Sequence, residues 1–226
     1  MAILLNIETS TSTGSVCLSS GKKILAEVNG SEPFAHARET TLMIDQCLNE
    51  AGLTLSQINA VAVSHGPGSY TSLRIGASVA KGICYALEKP LMAIDTLTTL
   101  AMAAAETEKG DIYVPMIDAR RMEVYTAFYD AELNCIREKQ SLILDDQTFK
   151  NYLDQGKRIV LAGNGSQKVK KLINHPLLIH SETDCRARNL VPLANQSFEA
   201  QKFESVAYFQ PEYLKPPNIT TPKKVL

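Results

Sequence analysis

The stretch from Ile58 to Leu87 constrains the fold of this chain more than any other. Ile58 to Val63 is an apolar alternating run and reads as a strand. Leu73 to Leu87 is too long and too apolar for anything but a helix. Between them stand Gly66, Pro67 and Gly68. Glycine reaches backbone angles closed to other residues and proline fixes its own φ, so the pattern predicts a strand, a tight turn and a helix start. Ser69, Thr71 and Ser72 are the candidate N-caps. The N–H groups of such a turn, at the positive end of a helix, suit an anion as well as they suit a purely structural βα connection.

The chain has 226 residues, 45% of them apolar, which is room for one large or two small domains with a proper core. Its formal charge is −1, from 23 basic and 24 acidic residues. That balance argues against nucleic-acid binding by the chain alone, which wants a basic surface. Cys17, Cys47, Cys84, Cys135 and Cys185 form no CxxC pair, so neither a zinc site nor a disulfide framework is expected, and reduced thiols in a cytoplasmic protein fit best. The opening MAILLNIETS has no basic n-region and reads as no signal peptide. No apolar run reaches the roughly 18 residues of a membrane span.

Ala2 to Glu8, Ser15 to Ser19 and Lys23 to Val28 read as a three-stranded meander. Its first loop, Glu8 to Gly14, is rich in hydroxyls that suit either phosphate contact or an ordinary turn. His36 to Gly52 is an amphipathic helix with Ile44, Cys47, Leu48 and Ala51 on one face, Leu42 roughly opposite, and Gly52 as C-cap. The helix from Leu73 carries two apolar stripes. One is Ile75, Val79, Ile83 and Ala86; the other, Leu73, Ala77, Ala80 and Cys84, is small and flat and lies about a third of a turn away. A helix has one face for its sheet, so the spacing leaves the small stripe, with Leu42 nearby, for a neighbour or a partner. Leu91 to Ile94 follows as a strand and Thr96 to Ala105 as a helix.

The polar run Glu106 to Asp111 is the predicted domain boundary. Residues 1–105 form a first lobe, completed by about 189–226, and residues 106–188 a smaller second one. In the second, Ile112 to Ile117, Glu123 to Tyr129, Asn134 to Ser141 and Leu142 to Leu144 read as strands, and Asp146 to Leu153 as a short helix. Arg158 to Ala162 is a strand that runs into Gly163, Asn164 and Gly165, then a helix from Gln167 to Ile173. Asn189 to Phe203 is helical, and the tail with Pro211, Pro216, Pro217 and Pro222 irregular. Two strand sets, each with a glycine turn before a helix, predict a duplicated α/β architecture, of the kind that often binds nucleotide between its lobes.

Four motifs now on the page, LNIETSTSTGSVCL, HGPGSYTSLRIG, IDARRMEVYTAFYD and PEYLKPP, stand in this order over nearly the whole chain. As a set they resemble the bacterial TsaB family, also called YeaZ. Ser72 departs from the pattern, which usually has Gly there. The resemblance implies a two-lobed fold of the actin, sugar kinase and Hsp70 ATPase superfamily, with mixed sheets, flanking helices and a reduced second lobe. It implies a non-catalytic relative of TsaD, the enzyme that transfers a threonylcarbamoyl group from its adenylate to the adenosine beside the anticodon of ANN-decoding tRNAs. It further implies a heterodimer with TsaD, joined by the ATPase TsaE, and a homodimer when the chain is alone. Both dimers would use the two N-terminal helices, here His36 to Glu50 and Thr71 to Leu87. Leu42, Leu73, Arg74, Ala77, Ala80, Lys81 and Cys84 are the interface residues expected on that basis. Contact with tRNA would be indirect, through the complex, with Arg120, Arg121, Lys168, Lys170 and Lys171 as a local basic patch.

The TsaD relatives hold a metal with two His four residues apart on the first helix, plus a distant Asp. Here that helix reads HARETTLMIDQ, and His36 is followed at that spacing by Thr40, a poor ligand for a transition metal. No metal and no cofactor are therefore expected, and His36 is read as a helix-start residue. His65 either steadies an anion or packs; His175 and His180 flank an apolar run and read as packing. No Ser-His-Asp arrangement can be placed. The competing reading is a stand-alone nucleotide-binding ATPase or phosphotransferase of the same superfamily. By resemblance, Glu8, Thr9, Ser10, Gly66, Gly68, Gly163 and Asn164 would then be vestigial nucleotide or phosphate contacts. Asp118 is the second-lobe acid for such chemistry, but with Arg120 and Glu123 it reads better as a structural charge cluster at the lobe junction.

Overall fold

The computed structural model describes residues 1–215; Pro216, Pro217 and Pro222, with the end of the PEYLKPP motif, lie outside the described residues. Two five-stranded mixed sheets carry the fold. In the first, β1 (Ile3–Glu8), β2 (Ser15–Ser20) and β3 (Lys23–Asn29) form an antiparallel meander. β4 (Ala60–Gly66) then pairs parallel to β1, and β5 (Leu91–Asp95) parallel to β4. In the second, β6 (Ile112–Asp118), β7 (Glu123–Asp130) and β8 (Cys135–Ile143) repeat the meander. β9 (Ile159–Ala162) pairs parallel to β6, and β10 (Leu178–His180) parallel to β9. The strand orders are the same in both sheets, so the duplicated two-lobed α/β architecture is present.

Alternation along each strand decides which helix it meets. Leu5 and Ile7 of β1 face α1 (His36–Ala51) and α2 (Tyr70–Leu87), in one core with Val61 and Val63. Leu4 points the other way, with Ala60, Ala62, Met92 and Ile94, onto Leu190 and Ala194 of α5 (Ala187–Glu199). With both faces covered, β1 and β4 read as near-continuous apolar runs. The second sheet is sandwiched likewise. Tyr113, Ile117, Ala127 and Val160 meet Leu97, Leu100, Ala101 and Ala104 of α3 (Thr96–Thr107), while Val114, Met116 and Phe128 meet Phe149 and Val169. α3 thus follows β5 in sequence but buries its apolar face on the second sheet. It also touches α5, and the two helices lie between the lobes.

The second lobe is the reduced one. After β4 comes the 18-residue α2; after β9 comes an eight-residue 3-10 segment, Asn164–Lys171, where a helix from Gln167 was expected. α4 (Lys150–Leu153) is a single turn, and one strand, Cys135–Ile143, stands where two were expected over Asn134 to Leu144. β4 begins two residues later than expected and runs on into the turn at Gly66. Ser69 is the N-cap of α2: its Oγ accepts the Ser72 N–H at 3.4 Å. Beyond α5, the Glu204 N–H donates to the Leu91 carbonyl at 2.8 Å, so the tail covers the otherwise open edge of β5. Val206 and Phe209 then enter the first core. No helix among the described residues is long and apolar enough to cross a membrane.

Candidate functional site

Two surfaces compete for the functional role: the outer faces of α1 and α2, and the cleft between the lobes. On α2 the stripe expected to be spare is the buried one. Leu73, Ala77, Ala80 and Cys84 are at most 5% exposed, and the last three sit in the first core. Their small volume lets the helix lie close to the sheet, which is why packing takes this stripe. Arg74 and Lys81 are also engaged by the chain itself. The Arg74 guanidinium lies 4.3 Å over the Tyr70 ring and its Nε donates to the Tyr213 hydroxyl. Lys81 Nζ donates to the Ala207 and Phe209 carbonyls, both at 3.1 Å. Of the seven expected interface residues, Leu42 is open, at 64% exposure, and Arg74 is exposed but held by the chain's own aromatic rings.

The more open face is the other stripe, although Val79 and Ile83 still touch the first core. Ile75, Val79 and Ile83 are half-buried, Gly82 and Ala86 are exposed, and Tyr85 is 82% exposed. Ile75, Val79, Gly82 and Ala86 follow helical spacing, so they form a strip of one face. Gly82 carries a signal of its own. A Cβ added there would meet nothing within 4 Å, so no packing among the described residues calls for glycine. In a helix interior glycine costs about 1 kcal/mol relative to alanine. Sequence periodicity found both stripes but holds no information on which one the sheet takes.

The cleft has a volume of about 650 Å³. Ser10, Gly68 and Asn164 line it, with Asp118, Arg120 and Lys215. The other expected nucleotide contacts sit in the walls. Thr9 donates its N–H to Ser64 Oγ at 3.1 Å, and the Gly66 backbone is pressed on the Glu212 carbonyl, at φ 118°. Gly68 is pressed on the Ser10 backbone in the same way, and Gly163 on the Met116 carbonyl. The glycines of both turns therefore serve chain-on-chain contact. Glu8 is fully buried and its Oε1 accepts the Ser10 N–H at 2.6 Å. Burial pushes its carboxyl above the usual range, against the hydrogen bonds from Ser10 that favour the charge.

The charges in and around the cleft are mostly paired. Lys168 holds Asp118 at 2.6 Å and also the Glu123 carbonyl. Lys215 pairs with Glu123, and that bond, with one from Ser141, holds the Glu123 carboxyl below its usual range. The expected cluster of Asp118, Arg120 and Glu123 is thus closed by two lysines; Arg120 joins it through its backbone N–H, which donates to Asp118 Oδ1 at 2.6 Å. Among the described residues, Arg120 is left as the cleft's cation without an ion pair. No His or Cys is among the lining residues. His36 begins α1 and its Nε2 lies 2.9 Å from the Thr11 carbonyl, while Thr40 Oγ1 donates to the His36 carbonyl. Burial pushes the Cys17 thiol up to about 12 and those of Cys47 and Cys84 to about 11, so none of these three is a thiolate nucleophile at neutral pH.

Fold and surfaces together define a duplicated two-lobed α/β protein with an open helix face and a cleft whose charges are largely paired. The sequence profile of the family described as "TsaD: tRNA N6-adenosine threonylcarbamoyltransferase" matches residues 19–221. The tRNA threonylcarbamoyladenosine biosynthesis protein TsaB of Escherichia coli K12 is 29% identical over 218 residues, 94% of each chain. The protein of the same description from Buchnera aphidicola subsp. Schizaphis graminum is 30% identical and covers 75% of this chain and 81% of its own. The solved structure of YeaZ from Pseudomonas aeruginosa superposes with a TM-score of 0.80 at 27% identity, over 95% of this chain and all of that one. This chain belongs to the TsaB (YeaZ) family, within the wider TsaD-type family.

Proposed function

We propose that the chain acts in tRNA threonylcarbamoyladenosine biosynthesis as a non-catalytic subunit. It docks on TsaD through the outer faces of α1 and α2, helps to recruit the ATPase TsaE, and pairs with a second copy of itself when TsaD is absent. The observation that carries this reading is Gly82. It is a mid-helix glycine with open space around it, in a strip of half-buried and exposed apolar residues. Glycine at such a point lets a second helix approach closely, and that use offsets its cost to the fold. A specific interface wants roughly 1,200 Å² or more of total buried area, which two helix faces can supply. The test is heterodimer formation on mixing with TsaD, read by light scattering. Gly82→Arg is expected to keep the chain folded and to abolish the heterodimer; an unchanged heterodimer places the interface elsewhere.

The second reading, nucleotide binding in the cleft, has the cleft's size in its favour, since about 650 Å³ is within the range of small-molecule sites. The paired state of Lys168 and Lys215 weighs against a strong phosphate site. A thermal shift with ATP and Mg²⁺ separates the two. A saturable shift with phosphate release favours the ATPase, and no shift together with a TsaD heterodimer favours the docking subunit.

A further inference from the structure

Four ionisable groups from four parts of the chain meet beside the cleft, whose lining includes one of them, Glu212. His65 is the penultimate residue of β4, Asp95 ends β5 and caps α3, Glu212 lies in the tail, and Lys139 comes from β8 of the second sheet. Ligand atoms of His65, Asp95 and Glu212 all lie within 4.8 Å of one another. His65 Nε2 is 3.3 Å from Glu212 Oε2. Donors bound to a single cation at about 2.0–2.6 Å stand this close together, and an imidazole with two carboxylates is a donor set for a divalent transition metal. The Lys139 ammonium, however, already sits on the carboxylates: 2.8 Å from Asp95 Oδ2 and in direct contact with Glu212 Oε2.

We propose that His65, Asp95 and Glu212 form a cation site that the chain fills with its own Lys139 ammonium, and that this filled site latches the tail and the second lobe to the first sheet. Each member is anchored elsewhere, so the cluster is held in place. Asp95 Oδ1 accepts the Thr98 N–H and hydroxyl at 2.7 and 2.8 Å, which leaves Oδ2 for Lys139. The Glu212 N–H donates to the His65 carbonyl at 2.6 Å, which fixes the tail beside β4. The His65 Nδ1 is buried and has no partner among the described residues, while its Nε2 faces the Glu212 carboxylate. The four side chains are between 19% and 35% exposed, partly shielded from solvent screening. The Lys139 ammonium donates to both Asp95 Oδ2 and Glu212 Oε2, so one cation bridges the two carboxylates. The two carboxylates outnumber the one ammonium, so removing Lys139 leaves two partly buried anions without a counter-ion, beside an imidazole.

The test uses the full chain with Lys139→Ala and Lys139→Met, read by hydrogen exchange of the Glu212 amide and by visible absorption with added Co²⁺. Without Lys139 the Glu212 amide is expected to exchange roughly tenfold faster or more, as a locally opened segment does. Lys139→Ala should take up about one equivalent of Co²⁺ with visible d–d absorption, as metal binding to preformed ligands requires. That uptake should restore the amide's protection, and a second change, His65→Ala, should abolish it. The original chain should show no such band. Unchanged exchange in both variants overturns the latch, as does loss of the whole fold in both, since the proposal gives the cluster a local role only. Failure of Lys139→Ala to bind Co²⁺ overturns the cation site. Stoichiometric Co²⁺ binding by the original chain overturns the assignment of Lys139 as its occupant.

Discussion

The two lobes repeat one strand order and then treat the same positions in opposite ways. The first strand of one sheet ends in Glu8, fully buried, with its carboxyl pushed up by desolvation. The first strand of the other ends in Asp118, which is partly exposed and paired with Lys168. After the fourth strand, one lobe builds an 18-residue helix and the other an eight-residue 3-10 segment. The difference teaches where a ligand or a partner can act. Across the cleft, one acid is sealed in the wall and the other is already neutralised, so little free charge faces the gap. Among the described residues, the helix after the fourth strand is long enough to present a second face in the first lobe and not in the second.

The largest effect should come from swapping the two faces of α2. Ala77→Arg puts a charge into the first core and should cost roughly 3 kcal/mol or more in chemical denaturation. Gly82→Arg, five residues on, should not lower stability and, from helix propensity, should raise it by about 0.5–1 kcal/mol. Equal costs would mean that the faces are misassigned.

The glycine turns give the next effect. Gly163 sits at φ 86°, and a Cβ there would run into Leu100 and the Met116 carbonyl. Gly163→Ala should cost about 1–3 kcal/mol from strain at a glycine-only position. A neutral result would show the second turn to be looser than its neighbours imply.

Glu8 makes a pH prediction with a definite sign. Its folded pKa is raised, so the folded chain binds more protons than the unfolded one above the ordinary glutamate value. This group's contribution to stability is therefore fully present below that value and is lost as pH rises through the folded pKa. Glu8→Gln keeps an acceptor for the Ser10 N–H, so it should flatten this fall and make the chain relatively more stable at pH 8 than at pH 5. An unaltered pH profile in urea denaturation contradicts the buried-acid assignment. The smallest effect is Gly82→Ala, which should raise stability by about 0.5–1 kcal/mol in the absence of TsaD, from helix propensity alone.

Much of this was legible in the sequence where local chemistry decides the outcome. The meander, the Gly-Pro-Gly turn and the two helices after His36 and Ser69 follow from alternation, capping residues and glycine. The duplicated α/β architecture was expected from two strand–turn–helix sets, though not the order of the strands. Three features were not legible, because each depends on a distant part of the chain. The stripe of α2 that packs is chosen by its fit to the sheet. Arg74 and Lys81 are claimed by tail residues more than 120 positions away. Only three-dimensional packing reveals that Gly66 and Gly163 serve close chain contact, since a glycine turn before a helix looks the same in sequence when it cradles an anion. The three residues of β10 carry too little pattern to be read at all.

The central claim is that the chain contributes a binding surface and takes no part in the chemistry. A subunit of that kind shifts its partner only by its differential affinity for the partner's states. The most direct measurement is threonylcarbamoyl transfer to tRNA in a reconstituted system containing TsaD, TsaE and the adenylate-forming enzyme, with Gly82→Arg compared against Ser10→Ala and Asn164→Ala. The account predicts that Gly82→Arg loses both the TsaD heterodimer and transfer, while the two cleft variants keep a substantial fraction of activity. Loss of transfer in Ser10→Ala or Asn164→Ala, with the heterodimer forming normally, would contradict it and give the cleft a nucleotide or catalytic role.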